Sequence, residues 1–269
     1  MPELAELRLT SEFVNEQSTD RIFHSIRKNP IHKGIDVELP FDAFTINASS
    51  RGKQLMLTLR ELNGDASIKL LMSMGMSGHF GWVDNGVLSK HSHLKFCSDD
   101  GSLDFIDVRR FGKWKIADDW SIDRGPDPTI EFQAFIRNIK DNLHKPEFNK
   151  PIHLVLMNQK YFNGIGNYLR AEILYRVNVN PFISARTALE TCPEIYRLCQ
   201  WAPTQAYKLG GGQLKDWENP FGKGSEMNSW SEFMICYNRP WASKIVDKNN
   251  RTFWFDSKWL SSFLIYSLK

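Results

Sequence analysis

The stretch Asn163-Gly164-Ile165-Gly166-Asn167 constrains this chain more than any other, because it sets two glycines within five residues between two segments that read as helices. The segment before it, residues 151–160, opens on a proline suited to a first helical turn and puts Ile152, Val155 and Leu156 on one side. The segment after it starts at Asn167, a good N-cap, and runs through Leu169, Ile173 and Leu174 towards Pro181. Glycines allow a tight turn and close approach of another molecule, while Ile165 between them anchors the turn in a core. The first amides of the second helix then face outward and form a ready anion site, with Asn167 at the contact. A helix–two-turn–helix that grips a phosphate and an ordinary helical hairpin both satisfy this spacing.

The rest of the chain has to decide between them. Its 269 residues suffice for two domains with a substantial core, and 42% hydrophobic with 24% charged residues is a globular composition. A net charge of only +3 means that any nucleic-acid surface is local. Cys97, Cys192, Cys199 and Cys236 are scattered without a C-x-x-C pair, so neither a disulfide framework, a zinc site nor any other cofactor is expected. No leader and no membrane-spanning run is legible. An intracellular protein is expected, nuclear in a eukaryote and otherwise in the cytoplasm or at a viral replication site.

Leu4, Leu7, Ser11 and Val14 follow Met1-Pro2-Glu3 at helical spacing, which puts Pro2 at or beside a helix N-terminus. If Met1 is removed, Pro2 becomes a free secondary amine, and the positive helix end disfavours its cation. A neutral amine attacks an aldehyde-like carbon and gives an iminium. Glu3 beside it, and Glu6 one turn later, offer carboxylates for proton transfer. Acidic residues at a helix start are also common for purely electrostatic reasons.

From residue 37 to about 116 the chain reads as short strands. Leu55, Leu57 and Leu59 alternate with other residues, and 93–97 and 103–108 are further candidates. Gly75, Gly78, Gly81 and Gly86 punctuate the turns. Arg109 and Arg110 beside Phe111, with Lys113 and Lys115, form a basic strip with an aromatic, suited to DNA. Asp123-Arg124-Gly125-Pro126-Asp127-Pro128 breaks the composition and marks a domain boundary. Helices follow over about 130–143 and about 184–209, then a Gly210-Gly211-Gly212 run that opens a stretch suited to a mobile lid. Residues 233–237 and 251–255 read as a hairpin with a turn at Asn249-Asn250.

The wording of the central stretch, NGIGNYLRAEILYR, resembles the helix–two-turn–helix of the formamidopyrimidine-DNA glycosylase / endonuclease VIII family. It most resembles the vertebrate endonuclease VIII-like glycosylases whose finger lacks zinc. The family opens Pro-Glu-Gly-Pro-Glu after Met removal, and this chain reads Pro2-Glu3-Leu4-Ala5-Glu6. The resemblance implies Pro2 as nucleophile, Glu3 as general acid and Lys53, in Arg51-Gly52-Lys53, as a catalytic phosphate contact; alone, Lys53 also reads as a solvated turn residue. It implies Glu6 and Arg239 on the lesion side, Asn167 and Arg251 on DNA phosphates, and Met76, Arg109 and Phe111 as the side chains that fill the void left by an extruded base. An apolar wedge and a hydrogen-bonding arginine suit that role, although Met76 by spacing alone is an ordinary core residue. His91 and His93 are left unassigned between phosphate contact and strand cap.

The family finger carries four zinc-binding cysteines, whereas here only Cys236 is present, and one thiol cannot close a tetrahedral site. Cross-strand aromatics are expected to supply the rigidity instead. The implied fold is α+β: an N-terminal helix and β-sandwich domain (1–124), a helical domain with the helix–two-turn–helix (125–225), a zincless hairpin finger (226–260) and a tail (261–269). The implied activity is a monomeric bifunctional DNA glycosylase with abasic-site lyase activity, acting on DNA with oxidised bases or abasic sites and needing neither cofactor nor membrane. The alternative is a catalytically silent DNA or RNA binder that kept the fold.

Overall fold

A computed structural model of the protein describes residues 2–85, 87, 90–212, 217, 219–222, 227–247 and 250–267. Contacts divide the chain into two compact units, Met1–Ser121 with Gly210–Gly224, and Ile122–Leu209 with Ser225–Lys269. The composition break at 123–128 thus lies just inside the second unit. The stretch from Gly210, read from sequence as helical-domain chain, groups with the first. Gly86 and Asn249, two of the turn residues expected from sequence, lie outside the described residues.

The first unit starts with helix α1 (Leu4–Ser18), which buries Leu4, Leu7, Phe13 and Val14. Eight strands follow: β1 (Phe23–Lys28), β2 (Phe44–Arg51), β3 (Gln54–Glu61), β4 (Ser67–Ser73), β5 (His79–Asp84), β6 (Ser92–Ser98), β7 (Gly101–Ile106) and β8 (Lys113–Ile116). They are ordered β5-β7-β6-β1-β2-β3-β4-β8, with every pairing antiparallel. The two halves of this sheet meet at one register pair, Phe23 with Phe44, whose buried rings stack at 5.8 Å. Leu94, Phe96, Leu103 and Phe105 from one half and Leu55, Leu57, Leu59 and Leu70 from the other join a single core, which is the expected β-sandwich. β1 lies ahead of the point where strands were expected to begin. Of its residues only Phe23 is buried, so the strand is set by its pairing with β6 rather than by its own periodicity.

The second unit carries α2 (Phe132–Asn142), a 3-10 turn (Pro146–Asn149), α3 (Ile152–Val155) and α4 (Asn167–Arg176). After these come α5 (Ala185–Thr191), α6 (Glu194–Lys208), α7 (Met227–Phe233), the hairpin β9 (Ala242–Val246) with β10 (Thr252–Asp256), and α8 (Leu260–Ser267). α3 is far shorter than the ten residues expected: past Leu156 the ladder tightens, Met157 bonding to Leu154 and Asn158 to Val155, and the Asn158 side chain then accepts the Lys160 N–H in a further turn. α5 and α6 replace one expected helix: Pro193 has no N–H to continue the first ladder and opens the second. The hairpin's first strand is residues 242–246 rather than 233–237, for a reason that lies in α4. The Glu172 carboxylate, fully buried, accepts the N–H groups of Ile235, Cys236 and Tyr237 at 2.8–3.0 Å. Those amides therefore curl around a carboxylate instead of joining a ladder.

Candidate active site and nucleic-acid interface

Within the first unit the register of α1 on β2 decides what gathers at the helix start. Asn15 brackets the backbone of Ala48, donating to its carbonyl at 2.9 Å and accepting its N–H at 2.6 Å, while Ser11 meets Ser50 at 3.5 Å. Four residues back along the helix, about 6 Å, thus match two residues forward along the strand, about 7 Å. Carried on, the same match sets Leu7 level with the β2–β3 turn of Gly52 and Lys53, a two-residue hairpin loop with glycine at φ 57°, and Glu3 and Pro2 about one helical turn, ~6 Å, past it. The helix start and Lys53 therefore share one end of the sandwich.

Pro2 is buried, and Glu3 is the N-cap of α1. Glu6, fully buried, accepts the Glu3 N–H at 2.7 Å through one oxygen and the Gly212 N–H at 2.6 Å through the other. It is therefore a brace between the helix start and the glycine run, a role the expected lesion-side position does not include. Gly210 and Gly211 sit at φ 81° and 78°, and a Cβ on Gly211 would meet Leu9 at 2.9 Å and Trp217 at 3.1 Å. The described start of the expected lid is thus tied to α1; residues 213–216, 218 and 223–226 lie outside the description.

Met76, Arg109 and Phe111, the residues expected to fill a void, gather at the same end. Leu55 pairs with Met72, and Ser73 with Lys113, so the β2–β3 turn, the exit of β4 and the start of β8 sit side by side on strands about 4.8 Å apart. Gly75, at φ 61°, lets the turn carrying Met76 touch the loop carrying Phe111: a Cβ there would lie 2.6 Å from the Phe111 backbone carbon. Buried Asp107 fixes the pair. It accepts the Ser77 hydroxyl at 2.5 Å, the Arg109 N–H at 3.2 Å and the Gly112 N–H at 2.7 Å. Met76 is half-buried, its neighbour Met74 being the core residue, while Phe111 is 52% exposed with the Arg109 guanidinium 5.1 Å over its ring. Asp107 was not singled out from sequence, although an aspartate before a loop is a known turn signal.

In the second unit α4 begins after the two glycines, and Ile165 is fully buried as expected. The N-cap is Gly166 rather than Asn167. The Asn167 side chain donates to the Thr252 carbonyl at 2.8 Å and accepts from Arg170, so it ties the helix start to β10. Arg170 is a fully buried guanidinium that reaches Asp247 at 2.9 Å and the His153 carbonyl at 3.0 Å, with Phe253 at 4.7 Å beneath it. Asp247 in turn accepts the Arg251 N–H at 3.1 Å and closes the hairpin loop, which sets Arg251 at its end. Arg239 is held away from that loop, hydrogen-bonded to Met234 and Ser231 and stacked over Trp241.

Burial and the neighbouring Glu172 push the Cys236 thiol up, so it stays protonated. Among the described residues no three His, Cys, Asp or Glu side chains converge as a metal site, and no helix is long and apolar enough to cross a membrane. The hairpin and the 235–237 segment are held by Glu172, the Arg170–Asp247 pair and stacked rings of Phe253, Phe255 and His153.

Comparison with known proteins bears on this arrangement. The profile of the formamidopyrimidine-DNA glycosylase N-terminal domain matches residues 1–114. Endonuclease 8-like 1 of Homo sapiens is 35% identical over 285 residues, covering 95% of this chain and 72% of the human protein. A formamidopyrimidine-DNA glycosylase of Wolbachia pipientis wMel is 30% identical over 239 residues, covering 82% of this chain and 84% of its own. Among solved structures, the MutM (Fpg) protein of Thermus thermophilus shares the fold with a TM-score of 0.77 at 23% identity, over 96% of this chain and 98% of that one. A complex of wild-type Lactococcus lactis Fpg with DNA containing an oxidised pyrimidine gives 0.75 at 22% identity, over 95% and 98%.

Proposed function

The chain belongs to the formamidopyrimidine-DNA glycosylase / endonuclease VIII family of DNA glycosylases, and from that premise we propose that it is a bifunctional glycosylase and abasic-site lyase for oxidised bases. The observation that carries the reading is the single end of the sandwich shared by Pro2, Glu3, Lys53, Met76, Arg109 and Phe111. A reacting sugar held there meets an amine, a carboxyl group and a cation on one side. The wedge that stands in for its lost base pair comes from the neighbouring turns.

With Met1 removed, the Pro2 nitrogen attacks C1′ of the flipped nucleotide while the base departs with a proton, and the sugar ring opens to an iminium. Glu3 supplies the proton to the ring oxygen. Loss of a C2′ proton then expels the 3′ phosphate, and a second elimination expels the 5′ phosphate. Hydrolysis of the iminium frees the amine. Lys53 neutralises a phosphate beside the sugar. Glu6 acts through Glu3 and Gly212, whose N–H groups it fixes. Oxidised pyrimidines and ring-opened purines are the substrates this reading assigns, in DNA bound by a monomer whose Arg251 holds a phosphate.

Borohydride trapping tests it. Abasic DNA and the processed protein should give a covalent adduct that maps to the N-terminal peptide. Retaining Met1 makes the Pro2 nitrogen an amide and should abolish the adduct. Glu3→Gln should suppress base removal while sparing part of the strand cleavage at preformed abasic sites. Trapping at full strength with Met1 in place would rule Pro2 out, and no adduct under any condition would leave a silent DNA binder.

A further inference from the structure

Two buried histidines stand behind the loop that carries Arg109 and Phe111, and the site as described makes no use of them. His32, on the β1–β2 connection, stacks on Trp114 with ring centroids 4.3 Å apart and lies 5.1 Å from the ring of His93 on β6. Both are at least nine-tenths buried. The His32 Nδ1 accepts the Gly34 N–H at 2.9 Å, so its proton is on Nε2. The His93 Nε2 lies 2.9 Å from the Asp107 carbonyl, so it donates there and leaves Nδ1 as an acceptor. The two ring nitrogens without a hydrogen-bond partner are His32 Nε2 and His93 Nδ1, one a donor and the other an acceptor on adjacent rings.

The backbone they touch is the void-filling loop. Asp107 begins it, and Gly112, which lies beside His32, ends it. A cavity of about 650 Å³ opens between this loop and the 31–35 segment. That segment is held against β8 by the Trp114 indole N–H, which donates to the Ile35 carbonyl at 2.9 Å.

We propose that His32 and His93 are positioning residues for the 107–112 loop: together they hold it in the shape that presents Arg109 and Phe111, and protonation of the His32 ring releases it. This rests on the glycosylase reading for what the loop does, and on the two rings alone for how it is held. A second proton on His32 must go to Nδ1, where it points at the Gly34 N–H. The surroundings disfavour the cation. Lys28 on β1, the adjacent Lys33, and Arg109, Arg110 and Lys113 across the cavity are positive; against them stand Asp107, and Asp36, which is 3.6 Å from Lys28. Burial first, then His93, hold His32 below the usual histidine range, and Asp107 and Gly112 only partly offset them. His32 is therefore neutral at pH 7 and takes a second proton only below the usual histidine range.

The test compares excision of an oxidised base from duplex DNA with cleavage of a preformed abasic site, from pH 5 to 8. The ratio removes the chemistry common to both and keeps what the void-filling loop adds. In the wild type it should fall roughly three- to tenfold towards pH 5, the loss expected when one buried hydrogen bond is broken. His93→Gln keeps a donor for the Asp107 carbonyl but loses the ring that packs on His32; it and His32→Gln should start from a lower ratio, and His32→Gln, which cannot charge, should also show a flatter profile. Nitrogen-15 shifts of the histidine rings in the intact wild type, at pH 7.5, should report the proton on Nε2 of both residues. Glutamine variants that reproduce the wild-type ratio and profile, or a His32 proton on Nδ1, would overturn the proposal. Because the tautomers are read on the free protein, they decide the matter even if the variants misfold. A wild type that excises nothing would instead count against the glycosylase reading.

Discussion

Replacing Arg170 by methionine should loosen the finger from the helix–two-turn–helix, and the size of the effect follows from what the guanidinium leaves behind. Its partner Asp247 is as buried as Arg170 itself, with side-chain exposures of 1% and 0%. Removing the cation strands a carboxylate in a site closed to solvent, and breaking such a pair costs about 3–5 kcal/mol. That is a large part of the ~5–15 kcal/mol that holds a typical domain together. The carbonyl of His153 and the Asn167 side chain lose a donor as well. The double variant Arg170→Met with Asp247→Asn removes both charges, while the Asn oxygen can still accept the Arg251 N–H. It should recover about 2 kcal/mol of the loss, because the stranded charge is gone. Urea unfolding gives the global figure. Hydrogen exchange of the β9 and β10 amides gives the local one, since the hairpin opens before the rest when its clamp fails. If single and double variants lose the same amount, or the single variant loses less than ~1 kcal/mol, the ion pair is not what holds the hairpin.

Phe111→Ala should reduce excision from duplex DNA more than cleavage of a preformed abasic site, because an abasic site has less left to unstack. Equal losses on both substrates would make Phe111 a folding residue, despite its 52% exposure. Arg251→Ala should weaken DNA binding across all sequences and reduce the salt slope by about one, as measured by fluorescence anisotropy at several salt concentrations; unchanged binding would remove Arg251 from the interface. The pKa of buried His153 is lowered to about 4, chiefly by burial, which outweighs the raising effect of the ring's hydrogen bond to the Pro181 carbonyl. Its unfolded form takes up a proton near pH 6.5, so between there and about 4 the unfolded chain binds more protons and stability falls with falling pH. The gap, at ~1.36 kcal/mol per pH unit, is on the order of 3 kcal/mol, and urea unfolding at about pH 7 and about pH 4.5 should show most of it. His153→Gln should flatten that difference.

The sequence by itself determined the elements whose signals are local. The α1 periodicity, the glycine turn with Ile165 buried, the leucine alternation of β3 and the aromatic strand β10 all stand where their residues required. It also determined which chemistry was on offer, since Pro2-Glu3, Lys53 and Arg109-Arg110-Phe111 carry their reactivity wherever they end up. What it left open was set by partners distant in the chain. β1 exists through β6, and residues 233–237 are kept out of the hairpin by a carboxylate more than sixty residues earlier. Asn167 gave up the N-cap to Gly166 and turned its amide to Thr252, and Glu6 became a brace for Gly212. In each case a buried polar group had to find a partner once water was excluded, and only the folded chain fixes which one is within about 3 Å. The gathering of Pro2, Lys53, Met76 and Phe111 at one end is likewise a matter of strand register, which a one-residue slip would undo and which no short stretch of sequence encodes.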